Sequence, residues 1–156
     1  MRKLSPENEK EFEELAKYVN FYTTHVWRVS PEAPEHPSHF LTPVPGKVTK
    51  SQLLSGLRQA ANDTVEDASS FTQEQTAALD RACLANDVLT LSEVRRRFSG
   101  QYRSVLKKRR ISNETEYYLV VAIITDMSSQ LDDDERRLLE ELAHAYEEAS
   151  SKREGD

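Results

Sequence analysis

The sequence predicts an all-α fold, a compact bundle of about six helices around one central apolar helix. Three observations carry that prediction. Five residues suited to capping a helix stand three positions before a Glu or Gln: Thr49 with Gln52, Thr72 with Gln75, Thr90 with Glu93, Asn113 with Glu116, and Asp132 with Glu135. Each pair introduces apolar residues spaced by three and four, the signature of a one-sided helix. Turn formers are scarce: the chain has 4 glycines and 6 prolines, and five of those prolines fall between Pro31 and Pro45.

Taken in order, Ser5 caps a first helix, with Pro6 at its first position and Glu7, Glu9 and Glu11 at its positive end. Phe12, Leu15, Val19, Tyr22 and Val26 form one stripe, ending near Trp27, and Tyr18, Phe21 and His25 a second beside it. Ser30–Lys47 reads as an extended, polyproline-like loop, because its prolines remove backbone donors and turn the residues before them away from helix. Phe40, Leu41 and Val44 are the residues expected to pin it to the first helix. A second helix follows Thr49 and fades through Asn62–Asp67. A third places Leu79, Ala82 and Cys83 on its buried side. The next carries Leu91, Val94, Phe98, Tyr102 and Val105, with a kink or break expected near Gly100. The central helix is Tyr117–Met127, with Tyr117, Val120, Val121, Ile124 and Met127 on one face and Leu119 and Ile123 opposite. A helix apolar on all sides is normally surrounded by others. Its β-branched residues keep a buried strand as the competing reading. The last helix shows Leu138, Leu139, Leu142, Ala145, Tyr146 and Ala149, with Ser150–Asp156 expected to fray.

The 156 residues suffice for a single helical domain. A subdivision would separate residues 1–69 (first helix, Pro-rich loop, second helix) from a C-terminal helical core at 70–150. One cysteine, Cys83, excludes an internal disulfide framework and fits a reducing compartment. The basic N-terminal residues precede no apolar segment, so no signal peptide is expected, and the apolar runs are too short to span a membrane. The expected location is the cytoplasm.

The net charge of −6 conceals a segregation. Between Val94 and Ile111 lie eight basic residues and no acid: Arg95, Arg96, Arg97, Arg103, Lys107, Lys108, Arg109 and Arg110. The other 13 basic residues face all 27 acids, a net of −14 for the rest of the chain. Such a run serves as a solvated face paired with the chain's own acids, as a contact for an acidic protein, or as a phosphate-binding surface. Aromatic residues, among them Tyr18, Trp27 and Phe40, are candidate anchors for a partner, with core packing the competing role.

Catalytic and metal chemistry find little support. His36 and His39 lie in an acidic loop where solvated side chains are expected, too few for a transition-metal site. Asp132–Asp134 lack the spacing of a calcium loop and fit a helix start. Cys83 sits on an apolar stripe. No Gly-flanked serine, phosphate-binding Gly loop or HExxH occurs. No cofactor is expected. The sequence therefore points to a non-enzymatic protein-interaction module, of the kind of a small bacterial immunity or antitoxin-like inhibitor or an adaptor. Nucleic-acid binding through Val94–Ile111 is the alternative, and a helical enzyme of unrecognised motif the third reading.

Overall fold

The computed structural model describes residues 3–128 and 130–154. Among the described residues there are seven α-helices and no strand. They are α1 (Pro6–His25), α2 (Lys50–Asp67), α3 (Gln73–Ala85), α4 (Leu91–Phe98), α5 (Gly100–Lys108), α6 (Glu114–Thr125) and α7 (Asp133–Glu154), with 3-10 turns at Pro37–Phe40 and Ala68–Ser70. The expected caps are made: Ser5, Thr49, Thr72, Thr90, Asn113 and Asp132 each accept a backbone N–H three residues on. The contacts divide the chain into two compact units. One comprises Met1–Ser70 with Ala82–Leu89, the other Phe71–Arg81 with Thr90–Asp156.

The first unit is built on α1 and α2. Its core includes Phe12, Leu15, Tyr18, Val19, Tyr22, Leu54, Leu57 and Ala61. The polar contacts give the direction of packing. Glu9 pairs with Lys50 at 2.5 Å, Glu11 with Arg58 at 2.5 Å, the Tyr18 hydroxyl donates to Thr64 Oγ1 at 2.7 Å, and Tyr22 donates to Asp67 at 2.7 Å. Partners rise together along both helices, so α1 and α2 run parallel. A parallel pair needs a connection that returns the whole length of the first helix, about 30 Å for 20 residues. That requirement explains the long Pro-rich segment: it is a return strap, and its 3-10 turn packs on α1.

The strap differs from the extended loop expected. It folds into turns, a 3-10 segment and a Val44–Val48 bridge closed by Gly46 at φ 78°, a conformation suited to glycine. Phe40 and Val44 do not pin it; both are exposed, and Leu41 is half-buried. The anchor is His36, 1% exposed, instead of the solvated histidine expected. Its Nδ1 accepts from the Ser38 backbone N–H at 3.2 Å. Its Nε2 therefore carries the proton in the neutral ring and donates to Thr24 Oγ1 at 2.9 Å, whose own hydroxyl is committed to the Asn20 carbonyl. A buried ring with both nitrogens satisfied holds a strap better than exposed apolar residues would. Nor does α2 fade after Asn62. It continues to Asp67 because Thr64 and Asp67 receive Tyr18 and Tyr22.

The second unit has a core of Tyr102, Val105, Ile111, Leu119, Val120, Ile123, Leu139 and Ala143. Helices α4, α5 and α7 all pack on α6, which is central to this unit. It is shorter and more one-sided than expected. It ends at Thr125, its buried residues are Glu116, Leu119, Val120 and Ile123, and Met127 lies outside it, 90% exposed. Arg136 of α7 donates to the Ile124 carbonyl at 3.1 Å, satisfying an acceptor in its last turn. The break near Gly100 is present, one residue earlier: Ser99 leaves helix geometry at ψ 123° and caps α5. Helix α7 runs through Ser150 to Glu154 without fraying at the serines, and the expectation for 155 and 156 lies outside the described residues.

Candidate functional site

The basic stretch divides into residues the fold uses and residues it leaves outside. Glu93 makes the division. It sits at the third position of α4, 1% exposed, and its carboxylate accepts from Arg96 Nε at 2.9 Å, Arg96 Nη2 at 2.8 Å and Arg97 Nε at 2.8 Å. Arg96 also lies 3.6 Å from Glu135 of α7, which accepts the Tyr102 hydroxyl. Burial pushes the Glu93 carboxyl up, but its bonds to the two guanidinium groups outweigh this and hold it below the usual range. Burial and the Glu135 carboxylate push the Tyr102 phenol far up, so it remains a donor. Arg95 donates to Thr76 Oγ1 at 3.3 Å. At the other end, Glu116 accepts Lys108 Nζ at 2.9 Å and the Ser112 N–H at 2.8 Å. Burial raises Glu116, and these two donors bring it below the ordinary value.

Four of the eight predicted contact residues are thus held internally: Arg95, Arg96, Arg97 and Lys108. The other four, Arg103, Lys107, Arg109 and Arg110, are exposed and form no salt bridge among the described residues, although Arg103 donates to the Arg97 carbonyl at 3.2 Å. Arg103 and Lys107 lie one turn apart on α5. Arg109 adopts the left-handed conformation at φ 52° that ends α5 and turns the chain toward Ile111. Arg109 and Arg110 stand at the rim of a groove of about 500 Å³ in the second unit. Ile111, Leu142, Ala145, Tyr146 and Ala149 form its apolar lining, and Arg153 adds a third cation. The Tyr146 ring stacks on Tyr117 at 5.1 Å, and Tyr117 donates to Glu147 at 2.6 Å, so the aromatic part of the lining is fixed before anything binds. That bond to Glu147 also raises the Tyr117 phenol to about 12.

The aromatic candidates separate likewise. Tyr18 is fully buried and bonded to Thr64, which removes it from any contact surface. Trp27 is 40% exposed, edge-on to Tyr22 and bonded to Asp67, and Phe40 is 61% exposed. Asp132 caps α7, which accounts for the first residue of the acidic triplet, while Cys83 is buried as its stripe predicts. Among the described residues no helix is long and apolar enough to cross a membrane. Sequence reasoning missed Glu93 and Arg153. Glu93 stands one residue outside the basic run, and its spacing of three and four to Arg96 and Arg97 was the available signal. Arg153 is distant in sequence and carries none.

A pH dependence follows. Glu93 and Glu116 titrate below their unfolded value of about 4.3, so their stabilisation is complete above that pH and lost as pH falls through the folded values. Asp80 works oppositely. Burial raises it, against the two bonds from Ser92, so its contribution is present at low pH and lost as pH rises through its folded value. Urea unfolding should therefore give a lower stability at pH 3 than at pH 7, with a shallower decline in Glu93→Gln. An equal decline in that variant would contradict the assignment.

Comparison with protein-family models, with curated proteins and with solved structures finds no match to this chain.

Proposed function

We propose that this chain is a non-enzymatic protein-interaction module, an inhibitor or adaptor, that engages an acidic protein surface through Arg103, Lys107, Arg109 and Arg110. The observation that carries the reading is the division of the basic run. In a merely solvated, self-paired face, all eight cations would be expected to find internal acids. Here Arg96, Arg97 and Lys108 do and Arg95 bonds Thr76, while Arg103, Lys107, Arg109 and Arg110 stay exposed without a salt bridge among the described residues, in a chain of net charge −6. A local positive field on an acidic protein orients an oppositely charged partner and speeds association. The groove beside Arg109 and Arg110 offers a single ring, Tyr146, already stacked on Tyr117, among Ile111, Leu142, Ala145 and Ala149, a lining that fits protein side chains better than a run of bases, which stack on exposed rings.

The test is affinity capture from native lysate with nuclease present, comparing the wild-type chain with Arg103→Glu/Lys107→Glu. Both sites are exposed and the one internal bond lost is that of Arg103 to the Arg97 carbonyl, so the double variant should melt within a few degrees of wild type. It should retain about a tenth or less of a partner whose capture weakens with salt. Equal retention by the variant would overturn the assignment, and capture that vanishes with nuclease would point to nucleic acid.

A further inference from the structure

We propose that the groove beneath Arg109, Arg110 and Arg153 receives α7 of a second copy of this chain, the two helices packing antiparallel about a two-fold axis near Glu147. Part of α7 is open to solvent along the groove. Leu142, Ala145, Tyr146 and Ala149 are spaced by three, one and three and line the groove, with Arg153 one turn beyond. Ala145 and Ala149 are exposed although apolar, and their small side chains let a second helix approach closely. The cations at the rim require acids from whatever enters. Helix α7 supplies them itself: Glu141 and Glu148 are exposed beside the apolar strip.

The register is self-consistent. In an antiparallel pair, the alignment that sets Ala145 of one copy against Ala149 of the other also sets Arg153 level with the second copy's Glu141. It sets the second copy's Glu148 level with Tyr146, which lines the groove together with Arg109 and Arg110. Two-fold symmetry makes every such pairing twice. Like charges would meet in a parallel arrangement, where Arg153 faces Arg153 and Glu141 faces Glu141. The lining is preorganised by the Tyr117–Tyr146 stack, so pairing needs little ordering of the site. Arg109 and Arg110 belong to both surfaces, but Arg103 and Lys107 are not among the groove's lining residues, so Arg103→Glu/Lys107→Glu tests the partner contact and the reversals on α7 test self-association.

The experiment is sedimentation equilibrium of the full chain over a wide concentration range, with Glu141→Arg, Arg153→Glu and the double reversal. Wild type should pass from one chain to two as concentration rises. Each single reversal should raise the dissociation constant about a hundredfold, because each repulsion occurs twice, and the double reversal should restore the dimer. Far-UV circular dichroism should be unchanged in all three, since both positions are exposed. Hydrogen exchange of wild type should show protection at residues 142–149 that grows with concentration, a readout that needs no variant. A chain that stays single at every concentration would overturn the proposal. So would a dimer indifferent to the single reversals, or one the double reversal does not restore.

Discussion

Glu93→Ala is expected to destabilise the protein by about 3–5 kcal/mol, the cost typical of removing one partner from a buried ion pair. The carboxylate is 1% exposed and is the shared acceptor of Arg96 and Arg97, whose side chains are 19% exposed. Without it both guanidinium groups lose their short charged bonds, and Arg96 keeps the Glu135 carboxylate at 3.6 Å. Against a total stability of 5–15 kcal/mol for a typical domain, that loss is large. Lys107→Ala, in the same basic run, should change stability by no more than about 0.5 kcal/mol, as exposed sites usually do. Urea denaturation of the two variants measures the difference directly. Similar small losses in both would mean that Glu93 does not hold the arginines in solution.

Leu139→Ala should cost about 2–5 kcal/mol, the range for removing a large aliphatic side chain from a close-packed core. Leu139 is fully buried in the cluster with Tyr102, Val105, Ile123 and Ala143, where α5, α6 and α7 meet. The neighbouring Glu140 is exposed, and Glu140→Ala should be nearly neutral. The melting temperature of Leu139→Ala should fall by several degrees for each kcal/mol lost. A fall no larger than that of Glu140→Ala would show that α7 does not close this core.

What could be read from the chain in advance was local. Caps, breaks and stripes depend on residues within about four positions, and Ser5, Thr49, Thr72, Thr90, Asn113 and Asp132 are all used as helix caps. The return strap was legible as a long proline-bearing segment, but its purpose was not. Parallel packing of α1 and α2 appears only when Glu9 meets Lys50 and Tyr22 meets Asp67, across more than forty residues. His36 was misread because exposure cannot be inferred from acidic neighbours when the residue that receives the ring is Thr24 of an earlier helix. Met127 was misread because an apolar run was extended past Asp126, whose carboxylate takes Thr90 and Ser128 and ends the helix. The basic run was legible as a feature. Its division was not, since Lys108 is separated from Glu116 by a turn and a helix cap, and Arg153 reaches the groove from the far end of the chain.

The division of charge between fold and surface is the central claim, and capture by Arg103→Glu/Lys107→Glu tests it most directly. With its melting temperature within a few degrees of wild type, the variant should lose nearly all of the nuclease-resistant partner that wild type retains at low salt. A variant that keeps the partner undiminished would contradict the claim.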